Sequence, residues 1–289
     1  MLQLNGVFPP LPTSFNKDET LSEKHIRNNI EFLNQYRLSG YLILGSNGEL
    51  VMLTHEEKIR VMQAARAAIP REKIMLAGTG CESTRETILL SKEAAKAGAD
   101  AVMVLNPTYY KGQMSHSALV AHYHAVADAS DVPLIIYNMP ANTGLDMTAA
   151  DIIAISDHPN IIGLKDSGGN VAKMADVIFK AKKGFQVLAG SAGFLLPALS
   201  IGAVGGILAL ANIAPQHCLD IYRAFSDGDF NRARNLQQEI ISLNAAVTRN
   251  WGVPALKAAM DHMGMYGGPC RKPLQPISED VKKKLLQLL

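Results

Sequence analysis

Short apolar runs recur along most of the chain, separated by stretches whose apolar positions fall three and four residues apart. The runs at 6–15, 40–44, 74–78, 101–105, 134–138, 161–166, 185–190 and 204–209 predict eight strands. Several are continuous rather than alternating, the pattern of strands buried on both faces. The intervening stretches carry helix-start signals. Ser22 precedes Ile26, Ile30 and Leu33, and Thr54 with Glu57, Ser83 with Glu86 and Thr148 with Asp151 resemble capping boxes. Repeated strand–helix units favour parallel pairing through right-handed crossovers. Eight of them predict a (β/α)8 TIM barrel over residues 1–214. Beyond it, helical patterns at 215–226, 229–247, 254–263 and 279–288 follow one another with no strand between, predicting a C-terminal helical domain over residues 215–289. The rival fold, a doubly wound open sheet, calls for a glycine-rich turn after the first strand, where this chain has Phe8-Pro9-Pro10-Leu11-Pro12.

Composition narrows the function more than the fold. With 289 residues, nearly half apolar, the chain can bury a large core, and its net charge of +2 leaves no basic footprint for nucleic acid. Cys81, Cys218 and Cys270 are sparse and form no metal-ligand spacing, which fits a reducing compartment and predicts no metal. No apolar stretch is long enough to span a bilayer, and the N-terminus lacks the layout of a signal peptide, so a cytoplasmic location is expected.

Three segments carry candidate chemistry. Lys165 ends a buried strand, and in a barrel the active site lies at the strands' C-terminal ends. A solvated lysine is almost fully protonated at neutral pH, whereas desolvation frees the amine to attack a carbonyl. The bland alternative is a buried ion pair, but alternation directs Lys165 and Asp166 to opposite faces. Tyr137 ends the preceding strand, where it could relay protons beside such a lysine or simply pack. Gly45-Ser46-Asn47-Gly48-Glu49 follows the second strand; it reads as an anion-binding backbone turn or as an ordinary connection.

Taken together, these segments resemble the dihydrodipicolinate synthase / N-acetylneuraminate lyase family of pyruvate-dependent aldolases along essentially the whole chain. The family's G-S/T-T/N-G-E loop is matched by Gly45 to Glu49, its Y-N-x-P strand end by Tyr137 to Pro140, and its G-x-K-D/E-S/T strand by Gly163 to Ser167. The resemblance implies that Lys165 forms an imine with a 2-oxo acid, with no added cofactor, and that Tyr137 relays protons. It implies that Ser46 and Asn47 hold the pyruvyl carboxylate. A tyrosine of the 107–110 segment, Tyr110 rather than Tyr109 on this reading, would cross a subunit contact in a homotetramer. The synthases carry an arginine two residues after the Y-N-x-P motif. Here that place is taken by Asn142, which cannot offer a charged bidentate fork. The nearest likeness is to the 4-hydroxy-2-oxoglutarate aldolases, through Pro140-Ala141-Asn142-Thr143-Gly144, Lys165-Asp166-Ser167-Gly168-Gly169, Ala189-Gly190-Ser191-Ala192-Gly193-Phe194, Asn244-Ala245-Ala246-Val247-Thr248-Arg249 and Tyr266-Gly267-Gly268-Pro269-Cys270-Arg271. That likeness implies cleavage of 4-hydroxy-2-oxoglutarate to pyruvate and glyoxylate, with Asn142 and Ser167 holding the distal carboxylate. The alternatives are an aldolase for a 2-keto-3-deoxy sugar acid, a dihydrodipicolinate synthase-like condensation, and a non-catalytic 2-oxo acid sensor.

Other signals read as structural. Gly202-Ala203-Val204-Gly205-Gly206 lies where many barrels bind phosphate, but its glycines suit close packing. His122 and His124, two apart on a helix, share no face, and Lys282-Lys283-Lys284 reads as a solvated helix face.

Overall fold

The computed structural model describes residues 2–289 and contains one eight-stranded parallel sheet. Its strands are β1 (Gly6–Phe8), β2 (Gly40–Ile43), β3 (Ile74–Gly78), β4 (Ala101–Leu105), β5 (Leu134–Asn138), β6 (Ile161–Asp166), β7 (Gln186–Ala189) and β8 (Gly205–Ile207). From β2 onward each pairs with the next in sequence, and β8 pairs with β1. The remaining gap, between β1 and β2, is closed by a bridge from Pro10 to Leu42, with Leu42 N donating to Pro9 O at 3.0 Å and Leu11 N to Leu42 O at 2.9 Å. The fold is therefore the TIM barrel expected from the apolar runs, and the open-sheet rival falls away.

Two expected elements are shorter or broken. The first strand stops at Phe8 rather than running to residue 15, because Pro9, Pro10 and Pro12 have no N–H to place in a ladder. The helix expected over 229–247 divides into Phe230–Glu239 and Ile241–Ala245, and a π-helical turn over Ala246–Asn250 follows. The other C-terminal helices lie at Pro215–Ser226, Gly252–His262 and Glu279–Leu286, each near its expected position. Two of the capping boxes are complete, Thr54 with Glu57 and Thr148 with Asp151; at Ser83 only the serine half forms.

The core has two parts. Leu4, Phe8, Leu42, Leu76, Met103, Ile135, Ile162, Leu188 and Ile207 fill the barrel interior, while a larger apolar shell lies between the strands and the surrounding helices. Gly205 has the packing role read for its segment: a Cβ there would lie 2.1 Å from the carbonyl oxygen of Gly6 on the neighbouring strand. Among the described residues, no helix is long and apolar enough to cross a membrane.

Candidate active site

The interior side chains of β5 and β6 meet because of one irregularity. Leu134 pairs with Ile161, but the next residue, Ile135, pairs with Gly163, so Ile162 is an extra residue in β6. A bulge of this kind shifts the inward–outward phase of everything after it. Ile162 faces the interior, Leu164 faces the helices, and Lys165 returns to the interior. Past the bulge, Tyr137 stands in register with Lys165, and Asn138 with Asp166. Neighbours across a parallel sheet share a face, so the four residues form an inner pair and an outer pair.

The inner pair is buried. Lys165 is 3% exposed and Tyr137 4%, and the Lys165 ammonium lies 4.1 Å from the centroid of the tyrosine ring. Ser46 Oγ is 3.3 Å from the Tyr137 hydroxyl. Burial alone would raise the phenol's pKa. The adjacent Lys165 charge, with help from hydrogen bonding by Ser46 and Lys165, outweighs it and holds the phenol below the usual tyrosine range. A phenol lowered in this way beside an amine gives up its proton more readily than a free tyrosine, which suits it to proton transfer.

The outer pair anchors the loops that frame the site. Asn138 Nδ2 donates to Asp166 Oδ2 at 2.9 Å and to Asp146 Oδ1 at 2.8 Å. Asp166 also accepts from Gly168 N at 2.8 Å and pairs with Lys173 at 3.2 Å. Asn138 Oδ1 accepts from Met147 N at 3.1 Å. The expected separation of Lys165 from Asp166 holds. The aspartate instead ties down the turn that carries Ser167, while Asn138 closes the loop that carries Asn142. Reading the sequence for reactive groups passes over this role, although an Asn and an Asp at two adjacent buried strand ends are a readable signal.

Above the inner pair lies a cavity of about 190 Å³, walled by Gly45, Ser46, Met103, Thr108, Tyr137, Asn142 and Thr143 among others. Ser46, Tyr137 and Asn142 of the expected set thus share one chamber. Lys165 lies against the Tyr137 ring rather than in the wall itself. Asn47 and Ser167 stand apart from the wall; Asn47 Nδ2 is buried with no hydrogen-bond partner, while the Ser167 hydroxyl lies close enough to the Tyr137 phenol to help lower its pKa. Buried polar groups are rarely left unpaired, which makes the Asn47 amide available to a ligand. Ser167 has room only because residue 190 is glycine: a Cβ there would lie 2.0 Å from Ser167 Oγ. Leu44 enters the Gly45–Glu49 turn with φ 60°, and Glu49 leaves it with φ 53°, both in the left-handed region that non-glycine residues avoid. Such strain concentrates where a loop must present groups in a set geometry.

Tyr110 does not reach the cavity within this chain. Tyr109 and Tyr110 are 78% and 64% exposed at the rim, edge to face at 5.0 Å. Their loop is held by Glu82, which accepts from Thr108 N, Thr108 Oγ1 and Tyr109 N. The two histidines lie in separate environments, as their spacing implies: His122 Nδ1 is 2.9 Å from Thr84 Oγ1, and His124 Nε2 is 3.2 Å from Ile155 O. Among the described residues, no group of three His, Cys, Asp or Glu side chains is placed to hold a metal ion.

Known proteins are similar to this chain in architecture and in sequence. The profile of the dihydrodipicolinate synthetase family matches residues 3–289. A 4-hydroxy-tetrahydrodipicolinate synthase of Methanothrix thermoacetophila is 34% identical over 98% of this chain and 95% of its own. A probable mitochondrial 4-hydroxy-2-oxoglutarate aldolase of Emericella nidulans is 37% identical over 95% of this chain and 91% of its own. Among solved structures, YagE of E. coli K12, a protein of the dihydrodipicolinic acid synthase family crystallised with pyruvate, superposes with a TM-score of 0.93 at 32% identity, covering 99% of each chain.

Proposed function

The chain belongs to the dihydrodipicolinate synthetase family, and we propose that within it the protein is a Schiff-base aldolase that cleaves 4-hydroxy-2-oxoglutarate to pyruvate and glyoxylate. The observation that carries this reading is the buried register pair of Lys165 and Tyr137, ammonium against ring at 4.1 Å. In the proposed cycle the Lys165 amine adds to C2 of the substrate, and the carbinolamine loses water to give an iminium. The C3–C4 bond then breaks, its electron pair passing into the iminium to form an enamine. Tyr137 takes the C4 hydroxyl proton as glyoxylate departs. Protonation of the enamine at C3 and hydrolysis of the imine release pyruvate and free the lysine. Ser46 and Asn47 would receive the pyruvyl carboxylate, and Tyr110 of a second subunit would complete the relay.

The relatives carry two different names, synthase and aldolase, at similar identity. Asn142 in the cavity wall favours the aldolase. Neutral donors, Asn142 and Ser167, would hold the distal carboxylate where an arginine fork would suit the synthase substrate. The uncharged wall formed by Thr108, Asn142 and Thr143 supports a second reading, a hydroxylated aldehyde partner as in a 2-keto-3-deoxy sugar acid aldolase. The first experiment is borohydride trapping with pyruvate followed by peptide mass mapping. A reduced pyruvyl adduct on Lys165 is expected; an adduct elsewhere, or none, overturns the mechanism. Turnover of a panel of aldehydes then separates the two acceptors.

A further inference from the structure

A second pair of buried charges lies behind the Gly45–Glu49 turn. Glu49 and Lys257 have side chains 1% exposed each, and Lys257 Nζ stands 2.5 Å from Glu49 Oε1. The other carboxylate oxygen accepts from Arg271 N at 2.8 Å, and Lys257 Nζ donates to Pro269 O at 2.8 Å. The ammonium also lies 4.7 Å from the centroid of the Phe15 ring. The packing around Lys257 is close enough that a Cβ at Gly267 would fall 1.9 Å from Lys257 O. The C-terminal helix Gly252–His262 and the segment after it thus reach one end of the turn, whose other side carries Ser46 against the Tyr137 hydroxyl.

We infer that Lys257 is a positioning residue for the active site, holding the Gly45–Glu49 turn through Glu49 in the conformation that presents Ser46 and Asn47 to the substrate carboxylate. This rests on the aldolase reading above and adds to it a residue that touches neither substrate nor reacting atoms. The physical reason begins with Glu49's left-handed backbone, which a non-glycine residue keeps only where its surroundings over-determine it. The ion pair supplies that determination. The turn's backbone has a further anchor in Thr13 Oγ1, which donates to Gly48 O at 2.6 Å, but that bond leaves the Glu49 side chain to Lys257, Arg271 and the Cys270 thiol. A charge pair is also a costly way merely to fill space. Apolar residues of similar volume generally replace such pairs with little loss of stability, so its presence beneath a strained functional turn favours an orienting role.

The test uses the full-length protein and separates orientation from stability. Lys257→Met/Glu49→Gln removes both charges while keeping volume. Thermal unfolding should stay near that of the unsubstituted protein, while the pyruvate concentration for half-maximal borohydride-trapped adduct on Lys165 rises about tenfold, with kcat at saturation falling less. An unchanged half-saturation, whether or not the unfolding midpoint moves, would remove any orienting role for the pair and overturn the inference. If the double variant does not fold, Lys257→Met alone, which leaves Glu49 its hydrogen bond from Arg271 N, decides the same question by the half-saturation readout. Absence of any Lys165 adduct in the unsubstituted protein is a different result: it defeats the Schiff-base reading itself, and with it this role for Lys257.

Discussion

At the residue scale, the proposed chemistry rests on what surrounds two side chains. Tyr137 combines burial with a neighbouring cation and a serine hydroxyl at 3.3 Å, and its phenol is held below the usual tyrosine range, as the proposed proton relay requires. Tyr137→Phe should therefore lower cleavage by about a hundredfold or more while pyruvate still labels Lys165, a split read by comparing turnover with trapped adduct. Asn142 offers a neutral donor at the cavity wall. Asn142→Ala is expected to raise KM for 4-hydroxy-2-oxoglutarate by about tenfold, ~1.4 kcal/mol, and to leave pyruvate labelling unchanged. Normal steady-state kinetics in that variant would remove Asn142 from the binding model. These residues are legible without the fold because each ends a strand or follows one. Asn138 and Asp166 also end strands, but their partners, Asp146, Met147, Gly168 and Lys173, are set by the fold, so their role in tying loops together is not written in their positions.

At the scale of elements, the helix over His55–Ala68 links the barrel to the C-terminal segment. Its capping box places Glu57 on the Thr54 N–H at 2.9 Å, and the same carboxylate receives both Arg271 nitrogens at 2.6 and 2.7 Å. Hydrogen bonding from Arg271 is the main reason the Glu57 pKa falls to about 2. A carboxylate depressed in the folded state stabilises above its ordinary value, 4.5, and loses that contribution as pH falls toward about 2. The melting temperature should therefore decline across this window, and Glu57→Gln should flatten the decline while lowering stability at neutral pH. Thr54→Ala, which removes only the cap, is expected to cost about 1 kcal/mol in chemical denaturation. The cap is visible in the sequence as Thr-x-x-Glu; the fork with Arg271 is not, because its partner is 214 residues away.

At the scale of the whole molecule, Val51, 83% exposed, lines the cavity, and Tyr109 and Tyr110 stand exposed directly after Thr108, another residue of its wall. Large side chains this exposed, on segments that reach the cavity wall, suit burial against another surface. We expect a second copy there, supplying Tyr110 to the neighbouring relay. Mixing Lys165→Ala with Tyr110→Phe under subunit exchange should then recover more activity than either variant shows, because one active centre in a mixed assembly can be complete. A monomer in sedimentation, or no recovery on mixing, would return the proton relay to residues of a single chain.

The order of the elements and the capped starts of several helices are written locally in the chain's apolar and capping pattern, whereas the end of the first strand and the break in the 229–247 helix are not. The order and the starts follow from local periodicity and from caps, which act within a few residues. The same local pattern places a lysine and a tyrosine at the ends of consecutive strands. Only the tertiary structure decided that they share a face in register, because the bulge at Ile162 belongs to the pairing of two strands and leaves no mark on either alone. It alone joined Glu49 to the C-terminal segment, with Arg271 lying 222 residues further along. No local pattern encodes that contact; it exists because closing the barrel and docking the last helices bring two buried charges to one place.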